Sequence, residues 1–281
     1  MKKYLKLMRI QHYIKNLLVF VPLFFHGSLF KNDKIWSALG GWIVFSLLAS
    51  VIYIVNDIRD VNKDRMHPTK KNRPIASGDI SVQKAVLLSG ILILGVVEIS
   101  NLIHASLVAM GYLAIYLVLN LLYSFGLKNY PIIDITILAS GFLIRILYGA
   151  ALTQIKVSNW LYLTVVTMAF YLVLGKRRNE LVQQDGQGTR TVLLRYSLQF
   201  LDKHMYLCLA ITIMFYAMWT MEKNNPVLVW TVPVVLLICM KYNLDVEGDS
   251  DGDPVEVLLR DKILMVMCMI YGGLMLGALY L

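Results

Sequence analysis

The residues best suited to chemistry lie in one stretch, 55–78, which reads V-N-D-I-R-D-V-N-K-D-R-M-H-P-T-K-K-N-R-P-I-A-S-G. Asp57, Asp60 and Asp64 recur at spacings of three and four, with Asn56 beside the first, so a helix carried through them sets their side chains on one face. Carboxylates held that close repel one another, and the usual relief is a hard divalent cation with oxygen ligands. Mg2+ bound by few protein carboxylates characteristically brings a phosphorylated substrate with it. The following residues supply the opposite charge: Arg65, His67, Lys70, Lys71 and Arg73 suit the phosphate oxygens that a metal leaves free. Together they read as a site for a metal-bound diphosphate, with Asn56, Asp57, Asp60 and Asp64 as its catalytic and metal-holding group.

The elements that position this group are set by composition. Hydrophobic residues make up 58% and charged residues 16% of the 281, and the mean hydropathy is +0.62, whereas charged residues are about 25% of a soluble domain. Several charge-free runs approach the roughly 20 residues needed to cross a bilayer, which excludes a large soluble helical core. The chain reads as one all-α, polytopic membrane domain over 1–281, with about nine spans. An uncleaved first span is expected at 17–30, where no small-residue cleavage site follows the basic start. A second, 35–56, delivers the acidic group to the interface. The others are expected from Val82, then at 103–125, 131–152, 157–175, 204–221, 226–240 and 263–281, with a long polar loop after the sixth.

With these spans, 22 of the 27 Lys and Arg fall on one side, four on the other and Arg145 inside a span. By the positive-inside rule the N-terminus, the acidic group and the long polar loops face the cytoplasm of a cell membrane, and the C-terminus faces outward. The net charge of +9 either serves that topology and contact with anionic lipid or, in part, lines a pocket for an anionic substrate. Nucleic acid is excluded as a partner, because the basic residues flank spans with no aromatic RNA-binding signature among them. Cys208, Cys239 and Cys268 lie far apart within spans and read as packing residues.

Four further groups carry candidate chemistry. In L-G-K-R-R-N-E-L from Leu174, Lys176, Arg177 and Arg178 complement a helix C-terminus, and Glu180 is spaced to fix Lys176 and Arg177 toward a substrate. Arg145, at the depth of a span, costs about 2.5 to 3.5 kcal/mol on insertion scales and needs an anion, either a substrate phosphate or an acid from another helix. Asp134 lies three turns earlier, about 16 Å away by helical rise, and is not its direct partner. Lys15, with Gln11 and Asn16, sits where a lipid phosphate would lie. Asp249, Asp251 and Asp253 suggest calcium, but the glycine is misplaced for an EF-hand loop; Arg260 and Asp261 close that stretch near the site.

Asn56-Asp57-x-x-Asp60-x-x-x-Asp64 at the end of a span resembles the first aspartate motif of the UbiA superfamily of membrane prenyltransferases, which implies a UbiA-like nine-helix bundle with a cytoplasmic-side pocket. Q-H-Y-I-K-N-L-L-V-F from Gln11, the stretch from Asn56 to Gly78, Y-S-F-G-L-K from Tyr123, S-G-F-L-I-R from Ser140, G-K-R-R-N-E-L from Gly175 and V-L-L-R-D-K from Val257 are similar, in order, to the decaprenyl-phosphate phosphoribosyltransferase branch of that superfamily. The resemblance implies Mg2+ as cofactor, phosphoribosyl pyrophosphate as donor and a polyprenyl phosphate as acceptor. It also implies substrate contacts from Lys15, Arg65, Lys70, Lys71, Arg73, Tyr123, Lys128, Arg145, Lys176, Arg177, Glu180 and Arg260. The product would be a pentosyl lipid, an arabinan precursor being one case. Where prenyltransferases carry a second aspartate motif after the sixth span, this chain is basic, which suits a sugar phosphate better than a second metal. The rival readings are a prenyl transfer to an aromatic acceptor and, more distantly, a non-catalytic lipid binder or transporter. A homo-oligomer is compatible with the sequence.

Overall fold

The computed structural model describes residues 2–183, 192–248 and 253–281. The described residues form helices joined by turns, without a strand. In chain order these are α1 (Lys2–Met8), a 3-10 run (Ile10–Phe20), α2 (Val21–His26), α3 (Asn32–Arg59), α4 (Val61–Met66), α5 (Val82–Leu102) and α6 (Leu107–Phe125). They continue as α7 (Ile133–Thr153), α8 (Asn159–Val182), α9 (Leu198–Glu222), α10 (Thr231–Glu247), α11 (Pro254–Arg260) and α12 (Lys262–Tyr280). Eight segments are long and apolar enough to cross a membrane: α3, α5, α6, α7, α8, α9, α12 and Pro226–Glu247, which joins the 3-10 turn Pro226–Trp230 to α10, as expected of a multi-pass membrane protein.

The expected first span is broken. Its residues run as a 3-10 helix to Phe20 and as α2 from Val21, with Pro22 in the first turn of α2 and Gly27 ending it in the left-handed region at φ 75°. Pro22 has no N–H to give to a continuous helix, and Gly27 terminates α2 one turn later. The polar loop expected after the sixth span is shortened too. Helix α8 carries Lys176 to Glu180 and runs to Val182, a 3-10 turn follows at Leu193–Arg195, and α9 begins at Leu198. The expectations for Asp185, Asp249 and Asp251 fall outside the described residues.

The helices group into two compact units, one of Met1–Phe125 with Ile144–Ile155 and one of Gly126–Leu143 with Lys156–Leu281. In the first, α3 is the central element, packed against α1, the 3-10 run, α5 and α6. Its buried residues Val44, Phe45, Leu48, Ala49 and Ile52 meet Val19, Val96, Leu113, Tyr116 and Tyr148 in one cluster. Closer to the acidic stretch, Val51 and Ile54 meet Leu7 of α1 and Ile75 and Ile80 of the basic loop in another. Leu7 and Ile54 are fully buried, so α1 and that loop share an apolar footing on the end of α3. In the second unit α8 and α9 form the main pair, with α10 packed on both and on α12. Tyr171 on α8 donates to Asn243 Oδ1 on α10 at 2.6 Å, and Thr212 on α9 donates to Thr167 Oγ1 on α8 at 2.8 Å.

Gly149 on α7 is the tightest approach in the first unit, since a Cβ there would lie 2.0 Å from the Val19 carbonyl oxygen. That oxygen is backbone and cannot swing aside. Gly149→Ala should therefore lower the unfolding temperature of the detergent-solubilised protein, by the equivalent of about 1–3 kcal/mol. Gly111→Ala on α6, where nothing lies within 4 Å, should leave it unchanged or slightly raised.

Candidate functional site

Helix α3 does not stop before the acidic motif. It carries Asn56 and Asp57 in its last turn, Asp60 caps it, and the hydrogen bonds from Asp60 N to Asn56 O (2.9 Å) and from Asp64 N to Asp60 O (2.8 Å) keep the helical period through α4. Asp60 itself nonetheless leaves the helical region, at φ -89° and ψ 7°, between the two helices, and Arg73 joins the side chains of Asp57 and Asp64 on either side of it. Asp57 is 3% and Asp64 4% exposed, and Asn56 and Asp60 are half-buried.

Two of the carboxylates meet through a shared cation. Arg73 Nη1 donates to Asp57 Oδ1 at 3.1 Å and to Asp64 Oδ2 at 2.7 Å, so one guanidinium bridges two turns of the motif. Arg9 Nη2 donates to the same Asp57 oxygen at 2.5 Å, with its guanidinium 4.7 Å from the centre of the Tyr53 ring. Among the described residues no group of three or more carboxylate, His or Cys side chains converges as a ready-made metal centre. Asn56, Asp57, Asp60 and Asp64 therefore do not stand as a preassembled four-ligand cluster among the described residues. Burying carboxylates together is costly unless cations neutralise them, and two arginines do so here. Spacing gives no sign of Arg9, because it is 48 positions away from Asp57 and reads as one more juxtamembrane base.

The basic loop is largely self-supporting. His67 Nδ1 accepts from the Thr69 and Lys70 amides at 3.3 and 3.4 Å, and burial together with the nearby Lys70 charge holds its pKa below the ordinary histidine value, preserving the neutral acceptor. Arg65 donates to the Ala76 carbonyl at 3.3 Å and so braces the loop. Pro74, Ile75 and Ala76 are buried beneath it, while Lys71 is exposed and Lys70 half-buried on the 3-10 turn Lys70–Asn72. Two lysines of α1 clasp the loop, Lys6 Nζ donating to Asn72 O at 2.9 Å and Lys3 Nζ to Asp79 O at 3.1 Å.

Deeper in the same unit, Arg145 is 8% exposed. It donates from Nε to Asn16 Oδ1 at 2.8 Å and from Nη2 to Tyr116 OH at 2.9 Å. The rings of Phe45 and Tyr116 lie 4.8 and 5.0 Å from its guanidinium. Asn16 in turn donates to Ser46 Oγ at 2.9 Å, so Asn16, expected beside a lipid phosphate, serves inside the protein. Lys15 and Tyr123 are half-buried.

In the second unit, Asp134 accepts from Arg177 Nε at 2.8 Å and from Tyr196 OH at 2.6 Å, with Asp134 and Arg177 both 0% exposed. Arg177 also donates to Glu180. Tyr196 OH accepts from Ile132 N at 2.6 Å, and burial with the adjoining carboxylate pushes its pKa up. Arg177 and Glu180, expected at a substrate, are thus joined to each other, and Arg177 is enclosed too completely to meet a substrate phosphate. Lys176 pairs with Asp253 at 2.9 Å and Arg178 with Asp202 at 2.7 Å. Asp253 also caps α11 through Val255 N, which gives it a structural use in place of calcium. Asp261 accepts from Leu264 N at 2.7 Å as the cap of α12 and from Lys241 at 2.5 Å. Arg260 is exposed and Lys128 half-buried.

A family model described as the UbiA prenyltransferase family matches residues 18–259. The chain is 32% identical to decaprenyl-phosphate phosphoribosyltransferase of Mycolicibacterium smegmatis, over 98% of its own length and 92% of that relative's. It is 30% identical to the protein of the same description from Corynebacterium glutamicum, over 99% and 86%. The fold is similar to that of a UbiA homolog from Archaeoglobus fulgidus solved with GPP and Mg2+, with a TM-score of 0.75, 17% identity and 99% of each chain covered.

Removing one partner of the Asp134–Arg177 pair leaves a buried charge uncompensated. Asp134→Asn should destabilise the protein by about 3–5 kcal/mol, read as a fall in detergent-phase unfolding temperature. The double variant D134L/R177M should regain a good part of the loss.

Proposed function

Because the chain belongs to the UbiA prenyltransferase family, we propose that it is a membrane transferase that moves 5-phosphoribose from phosphoribosyl pyrophosphate to the phosphate of a polyprenyl chain, releasing pyrophosphate. The observation that carries this reading is the acid–base group at the end of α3, where Asp57 and Asp64 are buried and joined by Arg73. It is supported by the activity for which relatives matching nearly the whole chain are named. Where prenyltransferases carry a second aspartate motif this chain has Lys176, Arg177 and Arg178 on α8, which speaks against a prenyl diphosphate held through metal from both motifs. The three cations themselves pair within the second unit and take no substrate role.

The donor set suits Mg2+. It consists of hard carboxylate and amide oxygens, and Mg2+ takes only one or two protein carboxylates when water and substrate phosphates fill its other positions. One or two of the carboxylates of Asp57, Asp60 and Asp64 would hold it, and bound there it would withdraw charge from the departing diphosphate. Arg73, already placed between two carboxylates, and Lys70 and Lys71 on the adjoining turn bind the donor's remaining phosphate oxygens. An oxygen of the lipid phosphate attacks C1 of the ribose, and the C1–O bond to pyrophosphate breaks with its electron pair leaving on pyrophosphate. The lipid phosphate is already ionised near neutral pH, so no proton has to be removed and no catalytic histidine is required. The polyprenyl tail lies against the apolar helices. The site and the N-terminus face the cytoplasm, where Lys and Arg concentrate, and the C-terminus faces outward.

Product analysis by mass spectrometry, after supplying phosphoribosyl pyrophosphate, Mg2+ and polyprenyl phosphates of several lengths, should reveal phosphoribosyl lipid. Prenylated product from a prenyl diphosphate and an aromatic acceptor, with none from phosphoribosyl pyrophosphate, would overturn the assignment. Asp57→Asn and Asp60→Asn should each cut transfer by roughly 100-fold or more while the protein still folds. EDTA should abolish turnover and added Mg2+ restore it; turnover that persists in EDTA would remove the metal from the scheme.

A further inference from the structure

The cation nearest the central carboxylate of this site comes from outside the motif. Arg9 Nη2 approaches Asp57 Oδ1 more closely than Arg73 does, 2.5 against 3.1 Å. Its backbone is left-handed, φ 53° and ψ 51°, at the break between α1 and the 3-10 run. A residue with a β-carbon adopts that region at a cost, and such a conformation persists where its surroundings impose it.

The surroundings on both sides are visible. Before Arg9, Leu7 is sunk in the apolar cluster with Val51, Ile54, Ile75 and Ile80, and Lys3 and Lys6 hold carbonyls of the basic loop. After it, Trp42, Ser46 and Ser50 form a polar stripe on α3, at spacings of four and on the face that continues to Asp57. That stripe stitches down the N-terminal segment: Ser50 Oγ donates to Met8 O at 2.9 Å and meets Tyr13 OH at 2.9 Å, Trp42 Nε1 donates to Tyr13 O at 3.1 Å, and Ser46 accepts from Asn16. The polar stripe in an otherwise apolar spanning helix therefore serves to fix residues 8–16, and with them the direction in which Arg9 points.

We propose, resting on the reading of this group as a site for a metal-bound diphosphate donor, that Arg9 is a further donor-binding residue. Before the donor enters, Arg9 shares one Asp57 oxygen with Arg73 and neutralises it. When Asp57 takes up its part in donor binding, the Arg9 guanidinium must find another anion, and the diphosphate supplies one at the same place. The Tyr53 ring beneath the guanidinium keeps its plane in position while the N–H edge exchanges one acceptor for the other. The clasp from α1 ties this movement to the turn that carries Lys70, Lys71 and Arg73.

A role confined to neutralising Asp57 predicts the opposite sign for donor affinity, which makes the inference testable without turnover. Titration of Mg2+–pyrophosphate into the purified full-length protein should show affinity weakened roughly tenfold or more in Arg9→Met, as expected for loss of a charge-assisted contact. Arg9→Lys, which keeps the charge and the fold, should show a smaller loss. In turnover the KM for phosphoribosyl pyrophosphate should rise while the KM for polyprenyl phosphate stays unchanged. Affinity for pyrophosphate unchanged or tighter in both variants would mean that Arg9 only guards Asp57 and would overturn the inference, leaving the functional reading intact. A wild-type protein that neither binds Mg2+–pyrophosphate nor transfers phosphoribose would overturn both.

Discussion

A carboxylate withdrawn from water at the end of a membrane-spanning helix has to meet a cation or lose its charge. Asp57 is such a group, and its partners come from two directions along the chain: Arg9 from the N-terminal segment and Arg73 from the loop after α4. Much of the local architecture is the means of bringing them in. The N-terminal segment lies along the polar stripe of α3, α1 clasps the basic loop, and Arg73 reaches on to Asp64. A membrane bundle needs none of this to span a bilayer. The arrangement sets buried acids beside cations, a condition suited to receiving a metal-bound diphosphate.

The second unit applies the same electrostatics to a different end. Asp134 and Arg177 are fully buried and joined, with Tyr196 and Glu180 completing their hydrogen bonds. Such a pair holds elements together and offers little to a ligand. The neighbouring cations go elsewhere, Lys176 to Asp253 and Arg178 to Asp202. Successive residues on a helix point about 100° apart, so three consecutive basic residues cannot converge on one substrate once α8 continues through them.

Some of this was legible in the residues. The spacing of Asp57 and Asp64 announced that they lie near one another, and Arg73 joins them. Length and apolarity located the spanning helices, although α8 and α10 run seven residues past their expected ends and α9 begins six residues early. The break in the first span was written in Pro22 and Gly27, yet an apolar run outweighed them. Arg145 was recognised as a buried cation, and the structure supplies Asn16, Tyr116 and two aromatic rings around it. Neither Asn16 nor Tyr116 carried a signal of that contact.

Taken alone, the amino-acid sequence determined that this is a helical membrane protein with an acidic group and a basic loop at the end of one span. Those conclusions follow from composition, helical period and the cost of charge in hydrocarbon, which depend on neighbours a few residues apart. Only the tertiary structure decided which cation meets which acid. Arg9 on Asp57 and Asp134 on Arg177 join positions 48 and 43 residues apart, and pairs at such separations are selected by how helices pack and which side chains packing shields from water, which local spacing does not encode.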